Sequence, residues 1–203
     1  MARYTGPKNR ISRREGVNLG LKSGLGVKLE RRLKVVPGQH GRRGKKKTSE
    51  YGLQLREKQK LKAIYGVLEK QFRKYFSMAK KTKSATGATL LEILERRLDN
   101  AVYRLGFANT RAAARQAVSH SHVYINGKKN NIPSTIICKD DVISIDNKWM
   151  NNPDVKKMLE DKSIILPDWL ERKAAVGKVV KLPIRGELDL DVNEQLIVEF
   201  YSR

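Results

Sequence analysis

The sequence predicts an α+β protein: a mostly helical N-terminal domain led by a basic extended segment, then a small domain in which a helix hairpin packs on a short antiparallel sheet. Three observations predict it. Apolar residues recur at three- and four-residue intervals through Leu61, Ile64, Leu68, Phe72 and Phe76, the spacing of a buried helical stripe. A second stripe, Leu91, Leu94, Leu98, Ala101 or Val102, and Leu105, runs to Gly106 and is followed by an alanine-rich stretch opening at Asn109-Thr110. From Val123 the period drops to two, with Val123 and Ile125 flanking Tyr124 ahead of the turn pair Asn126-Gly127.

Residues 1–50 are predicted to be an extended basic segment. They hold 15 basic and 3 acidic side chains and little periodicity, only turn formers among cations, as in YTGPKNRISRREG and PGQHGRRGKKKTSEYG. Such a stretch has too few apolar anchors to fold alone, and a phosphate backbone would order it. The cations come in clusters, Arg13-Arg14, Arg31-Arg32, Arg42-Arg43 and Lys45 to Lys47, with the planar groups Tyr4, Gln39, His40 and Tyr51 among them, a mixture suited to threading between nucleic-acid strands.

Residues 51–93 form the helical part of the first domain, one amphipathic helix or a pair. The face opposite the stripe carries Arg56, Lys58, Lys60, Lys62, Lys70, Arg73 and Lys74, more positive charge than solvation requires, and is expected to meet phosphates. Residues 94–157 form the second domain. Its alanine-rich helix, capped by Asn109 or Thr110 and reaching about Ser119, buries Ala114, Ala117 and Val118 and sets Arg111, Arg115 and Ser119 on the other side. Like charges one helical turn apart repel. Two guanidinium groups at that spacing instead suit forked hydrogen bonds to phosphate oxygens.

After the Asn126-Gly127 turn, IPSTIICKDDVISID predicts two further strands around Lys139-Asp140-Asp141. Cys138 is expected to be buried in this apolar run. Asn152-Pro153 starts a short helix to about Glu160, PDWLERKAAVGKVVKLP turns into strand, and Leu196, Val198 and Phe200 alternate in the manner of a strand. Residues 158–203 are expected to pack back on the first domain. Trp149 and Trp169 are read as core or interface aromatics.

Composition limits the function classes. The chain has 203 residues, 43 Lys+Arg, 21 Asp+Glu and a formal charge of +22, which points to a polyanionic partner, with nucleic acid foremost. The excess fades along the chain, and the last 53 residues hold 9 basic and 10 acidic side chains. No run approaches the roughly eighteen apolar residues of a membrane span, and the N-terminus shows no signal segment, so a cytoplasmic protein without membrane partners is expected. One cysteine excludes an internal disulfide. His120-Ser121-His122 has no third metal ligand nearby and reads as a hydrogen-bonding pair at a helix end, while Asp189-Leu-Asp191-Val-Asn193 lacks the glycine and final glutamate of a calcium loop. No phosphate-loop spacing and no set of nucleophile, base and orienter is found.

The run RLDNAVYRLGFANTRAAARQAVSHSHVYINGKKNNIPSTIICKDDVISI, Arg97 to Ile145, resembles the RNA-binding module named after the fourth protein of the small ribosomal subunit. ARYTGPKNRISRREG, PGQHGRRGKKKTSEYGLQLREKQKLKAIYGVLEKQFRKYF and NEQLIVEFYSR extend the resemblance over nearly the whole chain, to the bacterial-type family of that fourth protein, organelle forms included. The resemblance implies a non-enzymatic constituent of the small subunit that binds the five-prime domain of its ribosomal RNA early in assembly. By matching position it implies RNA contacts at Arg97, Tyr103, Arg104, Arg111, Arg115, Gln116, Ser119 and His120, at the turn residues Asn126, Gly127 and Lys128, and at Tyr51, Gln54, Arg56, Lys58 and Lys60. Arg3, Tyr4, Lys8, Arg13, Arg14, Gln39, His40 and Arg73 complete the expected RNA-binding set. Arg42, Arg43, Lys45, Lys46 and Lys47 would lie near the messenger entry channel and bear on translational accuracy. The fifth and third proteins of the subunit are implied neighbours, and no self-association is required. Many members carry four N-terminal cysteines that bind zinc; this sequence has none there, so neither metal nor cofactor is expected. The same module is appended to pseudouridine synthases and some tRNA synthetases, but the 57 residues after Asp146 are too few for a catalytic domain. A stand-alone factor for stalled ribosomes is disfavoured by the N-terminal match, and a DNA-compacting protein would not distinguish DNA from RNA.

Overall fold

The computed structural model describes residues 3–22, 27–41, 47–161, 165–188 and 190–202. They divide into two units, Met1–Gly87 with Leu190–Arg203, and Ala88–Asp189. Together they form the α+β architecture that the sequence predicts.

The first unit is helical, its N-terminal segment included. Where the sequence predicts extended chain, α1 (Lys8–Glu15) and α2 (Val27–Leu33) form. Lys, Arg and Glu are straight-chained and lose little freedom in a helix, so a cationic run without an apolar stripe still winds once Pro7 and Gly16 bracket it. Ser12 and Leu19 are buried, and Arg13 Nε donates to the Val35 carbonyl at 3.1 Å. A pair of longer helices follows, α3 (Glu50–Ile64), with Ser49 Oγ accepting from the Gly52 amide, and α4 (Glu69–Lys80). Leu61, Ile64, Phe72 and Phe76 are buried as the stripe predicts, but Leu68 caps the second helix and is 41% exposed.

The first unit closes with a segment from the far end of the chain. Glu194–Ser202 is helical, although its alternation suggests a strand. In an almost wholly apolar run both periods are present; Ile197, Phe200 and Tyr201 also stand three and four apart, and Asn193 Oδ1 accepts from the Gln195 amide to start the turn. Ile197 is buried, and the Tyr201 ring lies 4.6 Å from Phe76 and 6.1 Å from Phe72.

In the second unit, α5 (Thr86–Glu95), α6 (Leu98–Arg104) and α7 (Arg111–Ser119) precede β1 (Val123–Ile125), β2 (Lys128–Asn130) and β3 (Val142–Ile145). After α8 (Asn147–Met150) and α9 (Pro153–Glu160) come β4 (Leu170–Lys173) and β5 (Val176–Val179), and the closing helix of the first unit, Glu194–Ser202, is α10. All pairings in the sheet are antiparallel, in the order β2-β1-β3-β5-β4. The β4–β5 hairpin thus completes this sheet, so residues up to Asp189 belong here and only Leu190 onward joins the first unit, a later boundary than 158. Asn126 and Gly127, both with positive φ (50° and 76°), make the tight β1–β2 turn.

Two readings of the 132–146 stretch are corrected. Only β3 forms there, while Ile136 makes an isolated bridge to Arg97. Cys138 is exposed rather than buried, because the loop is held by its main chain, the Cys138 amide donating to Asp141 Oδ2 at 2.7 Å. The core gathers Leu98, Val102, Leu105, Phe107, Ala117, Val118, Val123, Ile143 and Trp169, with Trp149 against its edge and its indole N–H on the Phe107 carbonyl at 3.0 Å. Leu105 sits directly on β5: a Cβ on Gly177 would stand 2.5 Å from both of its methyl carbons, so only glycine admits this approach.

Candidate nucleic-acid interface

In the second unit α6 and α7 make the expected hairpin. Thr110, with Oγ1 accepting from the Ala113 amide at 3.1 Å, caps α7, and Ala114, Ala117 and Val118 face the core. Small side chains on that inner face let the helix lie close, which leaves Arg111, Arg115, Gln116 and Ser119 on the outer side with His120 at its end. Gln116, Ser119 and His120 are exposed, as are Asn126, Gly127 and Lys128 at the β1–β2 turn.

The arginines are engaged from behind rather than merely projecting. Arg111 Nε donates to Asn100 Oδ1 at 2.8 Å, and its guanidinium lies 4.5 Å from the Tyr103 ring centre. Arg104 grips the carboxylate of Glu95 with Nη2 at 2.8 Å and Nε at 3.1 Å. Arg115 Nη1 is 3.9 Å from Asp99 Oδ2. Arg97 differs in kind: it is 2% exposed and bound two-pronged to Asp99 at 3.0 and 2.7 Å. The resemblance implies Arg97 as a contact, but its burial makes it a structural ion pair, since a guanidinium enclosed with its carboxylate presents no surface.

The first unit shows a similar split. Arg3, Tyr4, Arg14, Gln39, His40, Lys47, Tyr51 and Arg73 are exposed, Lys8 and Arg13 partly so. Arg10, Arg13 and Arg32 line an open cleft with Pro7, Asn9, Pro37 and Gly38. Lys58 and Lys60 are buried, contrary to the phosphate-facing role read from their spacing, and Gln54, a contact the resemblance implies, is buried as well. Helix α10 and the segment leading into it cover this face. Lys58, 5% exposed, donates to Glu69 Oε1 at 3.0 Å and sits 4.4 Å from the Phe200 ring centre; Lys60 meets Asp191 at 3.2 Å; the Gln54 amide donates to Glu199 at 3.1 Å. Arg56 pairs with Glu15 at 3.2 Å. Arg42, Arg43, Lys45 and Lys46 lie outside the described residues.

Glu69 is the anionic centre of the first unit. Burial by itself would raise its pKa, but hydrogen bonds from Tyr201, Lys58 and Lys62 prevail and hold it at about 2. The same burial, with the bond donated to Glu69 at 2.8 Å, pushes the Tyr201 phenol above its usual range.

His120 and His122 do not bond each other. Their ring centres are 6.2 Å apart, and His122 stacks on Trp149 at 5.5 Å with Nδ1 3.7 Å from Asp146. Among the described residues no three His, Cys, Asp or Glu side chains are grouped to hold a metal, and no helix is long and apolar enough to cross a membrane.

Sequence reading overlooks Glu95, Asp99 and Asn100, the residues behind the arginines. The available signal is position: Glu95 stands four residues after Leu91 and three before Leu98, so a carboxylate occupies the buried stripe of LLEILERRLDN.

Residues 3–95 match the family described as the ribosomal protein S4/S9 N-terminal domain, and residues 96–143 match the S4 domain. Over 211 aligned residues the chain is 52% identical to the small ribosomal subunit protein uS4 of Herpetosiphon aurantiacus, with 100% of each chain covered. Proteins of the same name from Akkermansia muciniphila and Shewanella loihica are 52% and 51% identical over 207 residues, again with 100% of both chains covered.

Proposed function

This chain belongs to the uS4 family of small ribosomal subunit proteins, and from that premise we propose that it is a primary binder of small-subunit ribosomal RNA that nucleates assembly of the five-prime domain and body. It is a non-enzymatic structural component of the small subunit and carries an RNA-binding S4 domain. The observation that carries the finer reading is the α6–α7 surface, where Arg104, Arg111 and Arg115, each held by a buried partner, stand with exposed Gln116, Ser119 and His120. Forked donors at fixed spacing match phosphate oxygens, and the +22 chain supplies the long-range attraction. The exposed cations and planar groups of the first unit extend the contact, and neighbouring subunit proteins, the fifth and third among them, complete it in a cytoplasmic ribosome.

Arg42, Arg43, Lys45, Lys46 and Lys47 would meet incoming message at the entry channel and bear on accuracy. Charge reversal of these five residues is expected to impair initiation on structured messages; unchanged initiation would remove that role.

The main test is binding of the purified chain to small-subunit ribosomal RNA in competition with tRNA and duplex DNA at two salt concentrations, beside an Arg111→Ala/Arg115→Ala variant. Binding that survives competition and weakens in the variant is expected. Equal, steeply salt-dependent binding to all three nucleic acids would reduce the interface to charge alone.

A further inference from the structure

We propose that Glu95 and Asn100 are positioning residues that set the angles of the RNA-facing Arg104 and Arg111, so that this face selects its RNA by guanidinium placement more than by charge; the proposal rests on the RNA-binding reading above.

Glu95 has a side chain that is 0% exposed and receives side-chain bonds from Arg104 and Asn100. Arg104 Nη2 meets Oε1 at 2.8 Å; Arg104 Nε and Asn100 Nδ2 meet Oε2 at 3.1 and 2.7 Å. Two near-parallel N–H···O bonds fix a guanidinium plane as one contact cannot. The same carboxylate acts on a second arginine through a relay. Asn100 Nδ2 also donates to the Glu95 carbonyl at 3.0 Å, which settles which way its amide faces, and its Oδ1 then accepts from Arg111 Nε at 2.8 Å. Tyr103 stacks beneath Arg111. On the neighbouring side Asp99, gripped by buried Arg97, stands 3.9 Å from Arg115 and supplies charge rather than a second orienting bond.

An enclosed carboxylate is a costly way to fill position 95, since an apolar side chain in line with Leu91, Leu94 and Leu98 would pack there without desolvating a charge. What Glu95 supplies and leucine would not is orientation. Arg104 and Arg115 keep 21% and 15% of their side chains exposed, so they are held from inside and still reach the surface. Two carboxylates also stand behind four arginines, which lowers the local charge at the face proposed to read RNA. A surface built for attraction alone would omit them.

That opposition gives a test in which placement and charge predict opposite signs. Glu95→Gln is nearly isosteric, deletes the two-pronged acceptor and raises the formal charge above +22 by one unit. The full chain, Glu95→Gln, Arg104→Lys, Arg104→Ala and the double variant Glu95→Gln/Arg104→Ala are titrated against small-subunit ribosomal RNA and duplex DNA over a salt series, with melting curves alongside. Placement predicts that Glu95→Gln binds the ribosomal RNA weaker by on the order of tenfold, keeps its salt slope and binds duplex DNA no worse. In the Arg104→Ala background the same change should cost much less, because its main route of action is gone. Arg104→Lys keeps the charge and should weaken ribosomal RNA binding in the same sense.

Unchanged or tighter ribosomal RNA binding by Glu95→Gln would overturn the proposal. Should the glutamine lower the melting temperature, Arg104→Lys decides alone, and undiminished binding by it would likewise overturn the proposal. A wild-type chain that fails to prefer ribosomal RNA over duplex DNA is a different result, and it would remove the RNA-binding reading itself.

Discussion

The two units handle positive charge in contrasting ways. On the first, cations at the surface such as Arg3, Arg14 and Lys74 are exposed, Arg56 and Arg73 pair with Glu15 and Glu69, and those drawn inward, Lys58 and Lys60, are neutralised by Glu69 and by Asp191 with Glu57. On the second, the partly exposed arginines are themselves tied to buried groups, Arg104 to Glu95, Arg111 to Asn100 and Arg115 to Asp99. Mobile surface cations attract any polyanion and release its counterions; restrained ones give up reach and gain direction. On the RNA-binding function proposed above, affinity and selectivity would fall to different parts of one chain.

The contrast can be tested, starting where the effect is greatest. Arg97→Ala strands Asp99 in the core of the second unit and is expected to cost about 3–5 kcal/mol in urea denaturation, taking selective RNA binding with it. If stability held, the buried pair would not anchor the arginine cluster. Lys58→Ala in the first unit removes the bond to Glu69 and the contact with the Phe200 ring; a loss of about 2 kcal/mol is expected, with the salt slope of RNA binding unchanged. A reduced slope would return Lys58 to the RNA-facing set.

A smaller effect concerns pH. The folded pKa of Glu69, about 2, lies below its ordinary 4.5, so the ionised form is the one folding favours. Its contribution is complete above about pH 5 and drains away as pH falls toward 2; for a group a third exposed, screening leaves about 1 kcal/mol. Glu69→Gln should flatten the acid limb of the melting-temperature profile by that amount. An unaltered limb would place the acid sensitivity in the second unit. The least effect on stability belongs to Lys74→Ala, an exposed position, where melting should stay within about 0.5 kcal/mol of wild type while the salt slope falls by roughly one unit.

Much of this was legible in the sequence, and the failures have physical causes. The α6–α7 hairpin, a cap for α7 at Asn109 or Thr110 and the Asn126-Gly127 turn follow from local rules of spacing and backbone conformation, and the outward set of Arg111 and Arg115 follows from the alanines opposite. Helix α1 escapes pattern rules because its residues carry helix propensity without an apolar stripe. Helix α10 is ambiguous because LIVEFY satisfies two periods at once. Lys58 and Lys60 were misplaced for a different reason: a helix shows which residues share a face, but what covers that face comes from α10, more than a hundred residues away. Tertiary pairing also hid the role of Glu95, whose partners Asn100 and Arg104 lie beyond a break in the helix.

The first unit is completed by α10, a segment that follows the whole second unit in the chain. Synthesis therefore imposes an order in time. When a growing chain has reached Asp189, every strand of the five-stranded sheet and both arms of the arginine hairpin exist, whereas Ile197, Phe200 and Tyr201 have yet to be made. Domains fold as units while they are synthesised. The second unit, with its S4 domain, is thus fully synthesised before the first can be completed, and the Tyr201 bond to Glu69 becomes a late closing event.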